Sequence, residues 1–252
     1  QGVLRTLEQL KARELIAVGT NASWEESQEI RIVTKNNIDM ALLAYTYGTN
    51  GIPLPPDKPY LVNLIDEERM KEDIQRARDM NVDVVTVMLH FGQEYARHPS
   101  DDQKALARKL ISWGADVILG SHTHQVQPYE KIETRDEQGN LRNGIVIYSL
   151  GNFISNQGPE HNLPVYTDVG VIFKVEIIKH APEEQVEFGK IESIPTWVHK
   201  YRSNSKLQYR ILPLEDVLLA KDDEWLTEQD YHKLEAYLQE MTAHVHSLAV
   251  PV

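Results

Sequence analysis

Apolar residues recur along the chain with two periods, and each period predicts a different element. Leu4, Leu7, Leu10 and Leu15 fall near helical spacing with Arg5, Glu8 and Lys11 between them, which predicts an amphipathic helix over residues 2–15, punctuated by Gly19 and Asn21. Residues 29–34 and 38–45 read as two strands joined by a turn at Lys35-Asn36-Asn37, and Gly48 to Pro56 as an irregular loop. Residues 66–80 form a charged helix with Asp66 as its cap and Met70, Ile74 and Ala77 inward. The near-continuous apolar run from Asp83 to His90 marks a strand covered on both faces. A helix from Gln103 to a terminating Gly114 follows, then a second short buried strand, Asp116 to Gly120. This strand–helix–strand order predicts parallel strands joined by a right-handed crossover. Tyr129–Thr134 and Ile145–Leu150 flank a hairpin tip at residues 136–140, and further strands are expected at 169–178 and 186–194. Residues 220–247 read as a helical tail. No repeat or linker interrupts the pattern, so the expectation is one α/β domain over residues 1–252.

Composition narrows the function classes. Lys and Arg number 26 against 38 Asp and Glu, a formal net charge of −12, and the densest basic stretch (Lys200 to Arg210) is thin. Both features argue against a general nucleic-acid binder. No apolar run reaches the roughly 20 residues needed to span a bilayer. Cys is absent, which removes disulfides, thiolate metal sites and a Cys nucleophile. The ten histidines are therefore the resource for metal or acid–base chemistry.

Three histidines stand out. His90 ends the first buried strand, and His122 and His124 follow the second in Gly120-Ser-His-Thr-His124. Ligands of open α/β sheets collect beyond the carboxyl ends of parallel strands, and neutral imidazole suits manganese, zinc or iron. A lone strand-end histidine commonly does no more than cap the sheet with a hydrogen bond; three at neighbouring strand ends point to a site. Glu94 and Tyr95 lie beyond His90, and Asn152 lies in the tight turn that ends the strand to Leu150. The candidates are thus Glu94 and His122 for catalysis, Tyr95 and Asn152 for substrate binding, and His90, His122 and His124 for metal. Asp230-Tyr-His232 falls in a helical stretch, where residues i and i+2 point apart, and is read as surface. His98, His161, His180, His199, His244 and His246 are read as structural or solvated.

His90-Phe-Gly-Gln-Glu-Tyr95, the helix from Gln103 to Gly114-Ala-Asp-Val-Ile, Gly120-Ser-His-Thr-His-Gln-Val-Gln-Pro128 with Glu130, and Tyr148-Ser-Leu-Gly-Asn-Phe153 together resemble the CapA family of poly-γ-glutamate capsule biosynthesis proteins. Tyr45-Thr-Tyr-Gly-Thr-Asn-Gly51 and Pro195-Thr-Trp-Val198 also match its Gram-positive members. That family is similar to the calcineurin-like metallophosphoesterases. The resemblance implies an α/β/β/α sandwich with two metal ions, His90 and His122 serving the second metal and His124 the first. Ser121, in place of a Gly before the His-x-His, is a departure. The larger departure is that no Asp-x-His, Gly-Asp or Asn-His segment precedes His90. The expectation is therefore the C-terminal part of the fold, lacking its first strands, with weak or absent metal binding in this piece. A membrane anchor would belong to the missing N-terminal segment.

The resemblance implies a capsule assembly or export factor on the outer face of the cell membrane, partnered by poly-γ-glutamate or its membrane synthesis complex. A metal-dependent phosphoester or amide hydrolase and a non-catalytic module with a decayed site stand as alternatives. Because poly-γ-glutamate is a polyanion and this chain is also strongly negative, a site engaging a chain end or a partner protein is expected rather than a surface wrapping the polymer.

Overall fold

The computed structural model describes residues 1–180 and 185–249. In chain order the elements are α1 (Gly2–Lys11), α2 (Trp24–Ser27), β1 (Arg31–Lys35), β2 (Ile38–Thr46), α3 (Glu67–Asp79), β3 (Val84–His90), α4 (Asp101–Trp113), β4 (Val117–Ser121), β5 (Val126–Arg135), β6 (Leu141–Leu150), β7 (Val169–His180), β8 (Gln185–Ser203), β9 (Lys206–Pro213), α5 (Leu214–Ala220) and α6 (Glu228–Val245). Two sheets result. The first has six strands in the order β1-β2-β3-β4-β6-β5, and the second has three, β7-β8-β9.

The centre of the first sheet follows from its side chains. Val84, Val85, Val87 and Leu89 on β3 are essentially unexposed, as a strand buried on both faces requires. β2, β3, β4 and β6 run parallel, while β1 and β5 pair antiparallel at the edges. The helix between β3 and β4 is fixed at both ends. Ser100 and Gln103 form a reciprocal capping box at its start, and Gly114 closes it with φ of 124°. Gly120 is required by contact: a Cβ there would lie 1.9 Å from the carbonyl oxygen of Tyr148 on β6.

Each face of this sheet builds its own core. Met70, Ile74, Leu110 and Ile111 from α3 and α4 pack with Ile118 and Tyr148 on one side. On the other, Tyr129 and Ile147 meet Val169 and Trp197 of the second sheet and Leu214, Leu234 and Met241 of α5 and α6. The layers therefore run helices, sheet, sheet, helices, with α6 also reaching β5. A fully buried Leu or Ile contributes about 1.5–3 kcal/mol relative to exposure, so these two faces hold the fold together.

Several sequence expectations shift. The first helix ends at Lys11 rather than residue 15 and buries no residue. β8 continues to Ser203 instead of stopping at 194, and β9 occupies part of the basic stretch, where no element was expected. Within the expected tail over 220–247 the helix runs only from Glu228 to Val245, and α5 ends before it at Ala220, where Lys221 is left-handed. It is no appendage, since Leu234, Met241 and Val245 of α6 are core residues. Asp230 belongs to the capping box of α6, and His232 is solvent-facing, as expected for that pair.

Candidate functional site

The parallel register brings the carboxyl ends of β2, β3 and β4 side by side: Thr46 is opposite His90, and His90 is opposite Ser121. Backbone bonds continue the alignment past the strand ends. Tyr47 N–H donates to the His90 carbonyl (2.9 Å), Phe91 N–H to that of Ser121 (3.0 Å), and Tyr95 N–H to that of Thr123 (2.7 Å). The chain must turn sharply here, and His122 (φ 109°), His124 (φ 57°) and Tyr95 (φ 65°) all take positive φ. For a non-glycine residue such angles carry strain of order 1–3 kcal/mol, which the surrounding hydrogen bonds hold in place.

This turn gathers the predicted histidines. The His90 and His122 rings lie 4.7 Å apart, and both lie within electrostatic reach of His124. Burial, then the neighbouring His122 and His124, hold the His90 imidazole below its ordinary pKa. Burial does the same to His122; Glu94 pulls it upward, and His124 opposes Glu94. Glu94 is exposed beside this cluster, and Tyr95 lies 5.8 Å from the His124 ring.

Hydrogen bonds fix which nitrogens are free. The Ser121 hydroxyl lies 3.0 Å from His90 Nδ1 and 3.3 Å from the Leu89 carbonyl, so it engages the ring at Nδ1. Asn152 Nδ2 donates to the Thr167 carbonyl (2.8 Å), which turns Asn152 Oδ1 toward His124 Nδ1 (3.0 Å) and makes that nitrogen the donor. With Nδ1 engaged on both rings, Nε2 is the nitrogen left for a ligand, the arrangement outer partners impose on metal-binding histidines. The Ser121 departure has a local use, because a Gly there could not orient His90. Asn152, expected to touch substrate, has its amide engaged by protein partners.

Sequence reasoning missed Tyr47. Its ring lies 4.4 Å from that of His122 and is stacked on His90 at 6.1 Å, with a 17° interplanar angle. The signal was available: Tyr47 follows a strand that proves parallel to β3, so the rule that singled out His90 applies to it equally. Several other histidines do structural work. His199 Nδ1 accepts from Arg210 Nε (2.8 Å), His244 Nε2 donates to the Val126 carbonyl (3.0 Å), and His246 lies between Tyr129 and Ser193. A crevice of about 680 Å³ between β5–β6 and the β7–β8 hairpin contains none of the predicted residues.

Neutral imidazoles with free lone pairs have the right donor chemistry for a borderline metal ion. Among the described residues, however, no group of three or more His, Asp or Glu side chains is gathered so as to hold one. The residues present fit part of a metal centre and not a complete one.

A mixed α/β protein carrying an imidazole cluster at the carboxyl edge of its parallel strands is the class that fold and site define. The family model "Bacterial capsule synthesis protein PGA_cap" matches residues 1–157, and the chain belongs to that family. It is 30% identical over 162 residues to the capsule biosynthesis protein CapA of Bacillus anthracis, covering 63% of this chain and 37% of that protein. It is 32% identical over 170 residues to the PGA biosynthesis protein CapA of Bacillus subtilis strain 168, covering 63% and 39%. The chain thus spans less than two-fifths of the length of these relatives. Among solved structures it is similar to the NAD nucleotidase NadN of Haemophilus influenzae (TM-score 0.45, 11% identity, 95% of this chain and 43% of that one). It is also similar to a 5'-nucleotidase precursor from Thermus thermophilus (TM-score 0.45, 15% identity, 93% and 39%). Overlap at that level says nothing about chemistry.

Proposed function

We propose that this chain serves capsule polymer assembly or export at the cell envelope, with His90, His122 and His124 as the working cluster. One observation carries the reading: the family match over residues 1–157 includes every residue of the cluster and Glu94, Tyr95 and Asn152. Relatives named for capsule and PGA biosynthesis support poly-γ-glutamate, or the membrane complex that makes and exports it, as the partner. No helix among the described residues is long and apolar enough to cross a membrane. A divalent ion would be held through the Nε2 atoms of His90 and His124 and by His122, with further ligands from outside this set. When bound it would supply positive charge to an anionic group. The net charge of −12 favours contact with a polymer end or a partner protein over wrapping of a polyanion.

The test is secretion. In the organism that carries the gene, His122→Ala in the full-length protein should abolish poly-γ-glutamate release at unchanged protein level. Release equal to wild type would overturn the assignment. A hydrolase reading is favoured by one feature, the Glu94 carboxylate acting on His122, which suits proton transfer. Under it, Glu94→Gln would remove polymer processing while leaving bound polymer in place.

A further inference from the structure

His124 takes its orientation from Asn152, and Asn152 belongs to the segment joining β6 to β7. The second sheet grips that segment. Lys200 on β8 keeps only 12% of its side chain exposed. Its ammonium donates to the carbonyl oxygens of Asn156 (2.9 Å) and Gln157 (2.6 Å) and meets the Glu160 carboxylate. Tyr209, directly opposite Lys200 on β9, donates its phenol to Asn156 Oδ1 (2.9 Å). Two cross-strand partners therefore hold the same loop residue. The grip passes inward, since Gln157 Oε1 accepts from Asn152 Nδ2 (3.4 Å) and Asn152 Oδ1 accepts from His124 Nδ1.

We propose that Lys200 is a positioning residue for the candidate site, holding the 152–160 loop so that Asn152 keeps His124 in its Nδ1–H form. Lys200 acts through the loop, its bonds going to Asn156, Gln157 and Glu160. It also lies outside residues 1–157, so on this reading a part of the chain beyond the family match sets the geometry of the matched part. Three charge-assisted bonds from one nearly buried ammonium make this grip stronger than the neutral bonds around it. Substitution by Met preserves the packed stem and removes all three. An Arg can still reach a carbonyl and the carboxylate with its fork. The inference rests on the proposed function only in taking His124 as a site residue.

The test is the imidazole ¹⁵N spectrum of the chain, which reports the tautomer of each histidine. Lys200→Met should move His124 from the Nδ1–H form to a tautomer mixture while His90 and His122 keep their signals. Lys200→Arg should retain the wild-type pattern. Asn152→Ala should give the same His124 change, and adding Lys200→Met to it should change His124 no further. Tyr209→Phe, which removes one bond and keeps the ring, should produce a smaller shift in the same direction and serves if Lys200→Met fails to fold. Lys174→Met, which breaks the exposed ion pair to Glu192 elsewhere on the same sheet, should leave His124 alone. An unmoved His124 in Lys200→Met or Tyr209→Phe, with Asn152→Ala shifted, overturns the proposal; an unmoved His124 in Asn152→Ala overturns the relay it depends on. Zinc titration separates the two readings. About tenfold weaker binding in Lys200→Met supports both. A tautomer change with unaltered zinc affinity supports the positioning role and overturns His124 as a ligand.

Discussion

Removing the Asp168 carboxylate should undo the docking of α6 onto the second sheet. Asp168 is 2% exposed, and its Oδ2 accepts from the Trp197 indole (2.7 Å) and the Lys233 ammonium (2.8 Å). The ammonium also lies over the Trp197 and Tyr237 rings, 4.6 and 4.8 Å from their centroids. Asp168→Ala strands a buried indole N–H, a cost of about 1–3 kcal/mol, and removes a charge-assisted bond. Lys233 is about one-third exposed, so solvent screens that second loss to about 1.5–2 kcal/mol, near the low end for charged bonds. Together these give roughly 2.5–5 kcal/mol for Asp168→Ala. Lys233→Met keeps the packed stem and removes the carboxylate's charged donor, and the double variant should be less destabilised than the sum by about 1–3 kcal/mol. Urea unfolding followed by tryptophan fluorescence and circular dichroism measures all three. A coupling below about 0.5 kcal/mol, or an Asp168→Ala cost under about 1 kcal/mol, would refute the reasoning.

Other expectations are simpler. Burial lowers the pKa of His90, His122, His199 and His244 from the ordinary 6.5, so the unfolded chain takes up protons first as pH falls. Their contribution is therefore intact above about pH 6.5 and is lost as pH drops below it; a urea midpoint that is flat from pH 8 to 5 would contradict this. His244→Gln, which can still donate to the Val126 carbonyl, should flatten part of that slope. Gly120→Ala should prevent β4 from pairing with β6 and yield little folded protein, and a wild-type melting curve would show the 1.9 Å approach to be wrong. Leu110→Ala, at a site with no exposure, should cost about 2–5 kcal/mol in the same urea assay.

What the sequence made legible was what local patterning dictates. Continuous apolar runs located β3 and β4, capping residues located α3 and α4, and the strand-end rule located His90, His122 and His124. Where tertiary pairing overrode local signals, the reading fell short. β8 runs 19 residues through Gly189 and Pro195, a composition that ordinarily ends a strand, and it persists because β7 and β9 pair along its two halves. Tyr47 was passed over because β2 read as a hairpin arm of β1, when it is equally the parallel neighbour of β3. The His124–Asn152 contact joins residues 28 apart, and no local pattern encodes it.

The part played by α6 has a consequence for how the chain reaches this state. Its Leu234, Met241 and Val245 complete the second core, and His244 bonds to a carbonyl 118 residues earlier, on β5. During synthesis, Tyr129 and Ile147 emerge long before the helix that covers them. A nascent chain must therefore carry an apolar sheet face open to water until α6 arrives. Closing so distant a contact is slow compared with forming α3, α4 and the strands between them. For that interval the half-made protein is prone to self-association, and a chaperone that shields this face would raise the yield without touching the finished molecule.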